Sequence, residues 1–176
     1  VATGLVRTET GGDIIFVEAA MMKGSKELII TGSLGDVMQE SARAALSYIR
    51  SNADAFGIPD NFFEHHDIHI HVPSGAIQKD GPSAGITILV ALASLLTKRP
   101  ARREIAVTGE ITLTGRLLPV GGIREKILAA RRAKVRTVIV PARNRDHVDE
   151  LDHDVKECVE IRLADTVMDV VNAVLI

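Results

Sequence analysis

The sequence predicts a mixed α/β (α+β) fold, mixed sheets with packed helices, and three observations predict it. The first half carries strand-like runs that read as an antiparallel, N-terminal hairpin. In the second half, strand-like and helix-like segments alternate, the pattern of parallel pairing. Between the halves, residues 86–96 form a helical run that is apolar on almost every face, so it must be covered on several sides. A single domain over residues 1–176 accounts for the chain, because this length closes one core and no repeat, linker or low-complexity stretch interrupts it.

In chain order, 13–20 and 27–31 read as strands, with Gly24 and Ser25 as the turn between them. Ser33 with Asp36 resembles a capping box, with Asp in place of Glu. Met38, Ala42, Ala45, Leu46, Ile49, Ala53 and Phe56 then follow at helical spacing until Gly57 and Pro59 end the helix. Residues 68–72 alternate as a half-buried strand does, and 73–80 read as a loop. Pro82 suits the first position of the apolar helix. Short strands follow at 105–108 and 116–119, and Gly121-Gly122 opens a third helix. The chain then predicts a strand at 137–140, a weak helix at 145–151, a strand at 160–163 and a closing helix at 166–175 capped by Asp165.

Composition removes several function classes. Aromatic residues are only 3%, which leaves no stacking platform for single-stranded nucleic acid, and a net charge of -2 supplies no field for a polyanion. The single cysteine, Cys158, can neither staple the domain nor form a thiolate metal site, and it fits a reducing compartment. The longest apolar run is too short to span a bilayer, which needs about 20 residues. No basic-then-apolar leader opens the chain, and Val1 in place of Met leads us to expect a segment of a longer protein.

Two places carry possible chemistry. In Lys79-Asp80-Gly81-Pro82-Ser83-Ala84-Gly85 a serine sits in the first turn of the buried helix, and its small neighbours leave room for a substrate backbone. The helix N-terminus offers free N–H groups and partial positive charge, which suit an oxyanion. Taken alone, the G-x-S-x-G pattern is better explained by a serine that caps a helix. The second place is Lys126. Steps of about 100° from Ile123 put Ile127 at about 40°, Ala130 at about 340° and Ala133 at about 280°. Lys126 falls among them at about 300°, while Arg124, Glu125 and Arg132 lie opposite and only Leu128 blurs the division. Desolvation on an apolar face favours a neutral amine, the general base of a Ser–Lys dyad. A lysine snorkelling from the edge of the stripe explains the same placement equally well.

Together the two places carry a resemblance. Lys79 to Gly85, then Thr108-Gly-Glu-Ile-Thr-Leu-Thr-Gly, then Leu118-Pro-Val-Gly-Gly-Ile-Arg-Glu-Lys resemble the Lon protease domain in order, with Lys126 placed 43 residues after Ser83. Thr31-Gly-Ser-Leu-Gly-Asp-Val-Met-Gln-Glu-Ser and Asp67-Ile-His-Ile-His-Val-Pro extend it over nearly the whole chain. The resemblance implies the Lon protease-domain fold and a serine endopeptidase with Ser83 as nucleophile and Lys126 as base. It implies that Thr108 orients the lysine amine and that Asp80 gates or positions the pair. Gly81, Pro82 and Glu110 fall in the same motifs as supporting residues. It further implies an AAA-type ATPase module outside this chain, with ATP and Mg²⁺ as its cofactors and none for this domain. Unfolded or damaged proteins would be substrates, the oligomer a hexameric ring, and the location the cytoplasm, or alternatively the mitochondrial matrix. The chain departs from the pattern at Arg7, where many relatives have Trp, and at Gln78, where many have Pro.

Other residues and functions compete. His69 and His71 share a strand face as metal ligands would, but two ligands are too few, and a structural or surface role fits better. His65-His66 carries no specific signal. Arg131, Arg132, Lys134 and Arg136 read first as a solvated helix end and second as a docking surface. A small-molecule kinase of the GHMP type would also set a Gly/Ser-rich loop at a helix N-terminus, but it gives Lys126 no role. A pure binding module would reduce Ser83 to a cap. The chain contains no G-x-x-x-x-G-K-[ST] phosphate loop.

Overall fold

The chain opens with an antiparallel pair, β1 (Ala2–Thr8) and β2 (Gly11–Lys23), in a computed structural model that describes residues 1–73 and 79–176. Gln78 and most of the sequence-predicted loop lie outside the described residues. After β3 (Leu28–Thr31) come helices α1 (Asp36–Ser51) and α2 (Ala53–Phe56), then β4 (His66–His71). A 3₁₀ turn (Pro82–Ala84) leads into α3 (Gly85–Thr97). Next come β5 (Ile105–Val107), the small hairpin β6 (Glu110–Ile111) and β7 (Leu117–Leu118), and α4 (Ile123–Arg132). The chain closes through β8 (Thr137–Pro141), α5 (Arg145–Asp149), α6 (His153–Lys156), β9 (Glu160–Ala164) and α7 (Val167–Val174).

Seven strands form one mixed sheet in the order β3-β4-β2-β1-β5-β8-β9, with β6 and β7 apart. The β1–β5, β5–β8 and β8–β9 pairs are parallel, as the alternation in the second half predicts. The hairpin of the first half is β1–β2. The strands on either side of Gly24-Ser25 do not pair; β4 lies between them, antiparallel to β2 and parallel to β3. Strand β1 escapes a pattern reading because both its faces are covered: Val6 packs into one core and Leu5 into the other. Strand β8 divides likewise, Ile139 to one side and Val138 and Val140 to the other. Helices α1, α3 and α7 fill the first side; α4, with Val155 of α6, fills the second. Helix α3 is buried from Gly85 to Ala93, as an all-round apolar helix requires.

Three boundaries differ from expectation. Helix α1 begins after Gly35, with no cap from its own chain segment. Ser33 has φ 58, a left-handed conformation, so it is a turn residue and not the cap. The capping acceptor comes from far along the chain: Asp80 Oδ1 accepts the Met38 N–H at 3.0 Å. The helical run also breaks at Asn52 into α1 and α2 before Gly57 ends it at φ 67. Thr166, not Asp165, caps α7. Its hydroxyl accepts the Asp169 N–H at 3.1 Å, and the Asp169 carboxylate accepts the Thr166 N–H at 3.0 Å, a full capping box.

Candidate active site

Lys126 is carried on α4, which packs on the second face of β1 and β2. Five residues of α4 are buried, Ile123, Lys126, Ile127, Ala129 and Ala130, and Lys126 is 1% exposed. The lysine thus lies within the apolar face and does not snorkel. Ala133 caps the helix and is exposed, because α4 stops at Arg132. The basic cluster Arg131, Arg132, Lys134 and Arg136 is exposed at this end, with Arg132 donating to the Gly12 carbonyl at 2.8 Å.

The buried amine has one described side-chain partner. Lys126 Nζ donates to Thr108 Oγ1 at 3.0 Å, and that hydroxyl points on to the Ser83 carbonyl at 3.5 Å. Thr108 stands just past β5, where its own N–H is held by the Ile139 carbonyl at 3.1 Å. Gly109 N–H donates to the Ser83 carbonyl at 2.9 Å, and Ile86 N–H donates to the Gly109 carbonyl at 3.1 Å. The Thr108-Gly109 segment is therefore fastened to the turn that bears Ser83. Burial, and next the positive charge of Arg7, lower the Lys126 pKa from 10.5 to about 8.

Ser83 occupies the 3₁₀ turn before α3, with Pro82 at its first position and Gly81 at φ 112. Ser83 and Lys126 line one cleft of ≈ 250 Å³, together with Arg7, Asp80, Gly81, Pro82 and Glu110. Among the described residues the Ser83 hydroxyl has no hydrogen bond, so the serine and the lysine meet through Thr108 and the shared cleft, not through a direct bond. Glu110 is half-buried on β6. The Asp80 carboxylate is turned to the N-terminus of α1, and the Lys79 carbonyl accepts the Gly35 N–H at 2.8 Å, which straps the serine loop to that helix. Nothing in the sequence around Asp80 announced its capping role, since its partner lies 42 residues away.

His69 Nε2 and His71 Nδ1 both contact the Thr31 hydroxyl, at 2.8 and 2.6 Å, on the face of β4 away from the first core. Among the described residues no group of three or more His, Cys, Asp or Glu could hold a metal ion.

Thr108→Val keeps the shape beside Lys126 but removes its hydrogen-bond acceptor. Turnover at this site is expected to fall by roughly 10–100-fold, by analogy with loss of orienting partners elsewhere, while the thermal midpoint shifts little. Wild-type turnover in this variant would exclude an orienting role for the hydroxyl.

The chain itself is similar to known proteins. The chain is 57% identical over 175 residues to a Lon protease of Syntrophus aciditrophicus, covering 99% of the chain and 22% of that protein. It is 55% identical to the Lon protease of Aquifex aeolicus, covering 100% of the chain and 22% of the relative. A Lon protease of Heliobacterium modesticaldum is 62% identical over 157 residues, 89% of the chain and 19% of the relative. The chain therefore spans about a fifth of the length of these relatives. Residues 1–176 also match the family described as Lon protease (S16) C-terminal proteolytic domain. On its sequence from end to end, and with the mixed sheet and helices described above, the chain belongs to that family of serine peptidase domains.

Proposed function

We propose that Ser83 is the nucleophile and Lys126 the general base of this peptidase, with Thr108 orienting the amine. One observation carries the reading: a fully buried lysine, lacking any carboxylate partner among the described residues, shares a cleft with a serine at a helix start. The neutral Lys126 amine takes the Ser83 proton as Oγ bonds to the substrate carbonyl carbon. The Lys126 ammonium then gives that proton to the departing amine nitrogen as the C–N bond breaks, leaving an ester on Ser83. Water, deprotonated by Lys126, bonds to the ester carbon; the C–Oγ bond then breaks, Ser83 Oγ takes the proton back from the Lys126 ammonium, and the carboxylic acid product leaves. The N–H groups of Gly85 and Ile86 are already committed, to the Pro82 and Gly109 carbonyls, so they are not open to the oxyanion. Asp80, Gly81, Pro82 and Glu110 support the site by shaping its walls, Asp80 through its hold on α1.

The remainder of the reading concerns the full-length protein. An AAA-type ATPase module, using ATP and Mg²⁺, would unfold damaged or unfolded proteins and pass them to this domain within a hexameric ring in the cytoplasm, or in the mitochondrial matrix. ATP has no phosphate loop to bind in this chain. Among the described residues no helix is long and apolar enough to cross a membrane. A fluorophosphonate probe, followed by peptide mapping, should modify Ser83 of the wild type and leave Ser83→Ala unmodified. Labelling of another serine, with Ser83 untouched, would sink the assignment.

A further inference from the structure

We propose that Arg7 is a specificity-determining residue that pairs with a carboxylate side chain of the substrate beside the scissile bond. The inference rests on Ser83 and Lys126 being the reacting pair. Arg7 stands near the end of β1, opposite Gly12, and its side chain is exposed. Its stem lies across the start of α4: a Cβ added to Gly122 would meet Arg7 Cδ at 3.0 Å and Cγ at 3.2 Å. Its Nη1 lies 3.9 Å from where a Cβ on Gly121 would stand, and Arg7, like Gly121, lines the cleft of Ser83 and Lys126. The same residue lines a second, larger groove of ≈ 790 Å³ beside the β1–β2 turn. Among the described residues only Arg7 and Asp80 belong to both spaces, so a peptide running from the groove to Ser83 passes them.

Of these two, Asp80 is anionic and its Oδ1 accepts the Met38 N–H, so Arg7 is the one that can attract a carboxylate. Arg7 has no ion pair or side-chain hydrogen bond among the described residues; the three ion pairs they form join Arg102 to Glu104, His153 to Glu157 and Arg162 to Glu160. A guanidinium presents five donors in a planar fork that matches a carboxylate, and here that fork is unused. Burial, and next the charge of Arg7, lower the Lys126 pKa, in keeping with the place of both residues on one cleft. The outer groove also carries Glu9 and Asp13, and the inner cleft Asp80 and Glu110, but none of these carboxylates pairs with Arg7 among the described residues.

The test uses the full-length protein with ATP and fluorogenic peptides that carry Glu or Gln at each position flanking the scissile bond in turn. At one position wild-type kcat/KM should favour Glu over Gln by roughly 3–30-fold, between the values for an exposed ion pair and a charge-assisted hydrogen bond. Added salt should shrink the ratio. The ratio should approach unity in Arg7→Gln, survive in part in Arg7→Lys and invert in Arg7→Glu. Equal rates for Glu and Gln at every position in the wild type would overturn the proposal without recourse to any variant. So would a Glu preference that Arg7→Gln leaves intact. Cleavage that persists in Ser83→Ala would instead defeat the reading of the site, and the Arg7 proposal with it.

Discussion

Lys126→Arg and Lys126→Met are both expected to fold and both to lose peptide hydrolysis, by roughly 10²–10⁴-fold, or more if serine and lysine act as a unit. Arginine retains the charge and cannot release its proton, whereas methionine retains much of the apolar shape and offers no base. Lys126 is 1% exposed, and burial lowers its pKa to about 8. The wild-type rate should therefore rise with pH and level off above about 8, well below the 10.5 of an ordinary lysine. Near-wild-type cleavage by Lys126→Arg would mean that a fixed charge suffices and that no base acts at this position.

The same shift has a consequence for stability. Below pH 8 Lys126 is protonated in both the folded and the unfolded chain, and the fold must hold a buried ammonium. Between about 8 and 10.5 the folded state has released the proton and the unfolded state still binds it, so stability rises with pH across that window. Lys126→Met removes the buried charge at every pH. It should be the more stable protein below pH 8, by up to roughly 3 kcal/mol, with the gap closing toward pH 10.5. Urea unfolding at several pH values measures both curves, and parallel curves would show that the amine is not desolvated.

Gly12→Val is expected to damage both fold and catalysis. A Cβ at Gly12 would run into the Glu125 carbonyl and approach the Lys126 backbone nitrogen to 2.9 Å. Strand β2 thus touches the backbone of α4 at the turn that carries the lysine, and no side chain stands between them to yield. Overpacking of this kind costs roughly 1–3 kcal/mol, and backbone contacts put the cost at the upper end. The relief available is to push α4 outward, which draws Lys126 away from Thr108. A shift of about 1 Å at a reacting group lowers turnover by on the order of 10²-fold. Gly11→Ala provides the contrast: a Cβ there meets nothing within 4 Å, so only its φ of 134 is strained. Urea midpoints and peptide cleavage for the two variants decide the matter. If Gly12→Val matched wild type in both, close backbone packing would not be what places Lys126.

Local signals in the sequence were enough for most elements. The apolar run that became α3, the alternating β4 and the stripe on α4 each report their own burial, because period and exposure are properties of a few neighbouring residues. The stripe also sets Lys126 among the apolar residues of α4, but snorkelling from its edge fits that pattern equally well, and only its burial in the fold decides between them. The motifs around Ser83, Thr108 and Lys126 pointed to the family and to the residues worth watching. What local pattern could not contain was partnership across the chain. The pairing of β4 between β2 and β3 depends on which edges meet, and strand β1 hides its period because both its faces are covered. Ser33 looked like the cap of α1, yet the acceptor is Asp80, brought there by the strap between Gly35 and Lys79. Only the folded chain joins Lys126 to Thr108 and Thr108 to the Ser83 carbonyl, and only there does Arg7 enter the same cleft. Sequence by itself determined which faces are apolar and which side chains could react. Tertiary structure decided which of those side chains meet, because contact between distant segments depends on how the sheet and its two helical layers close around one another.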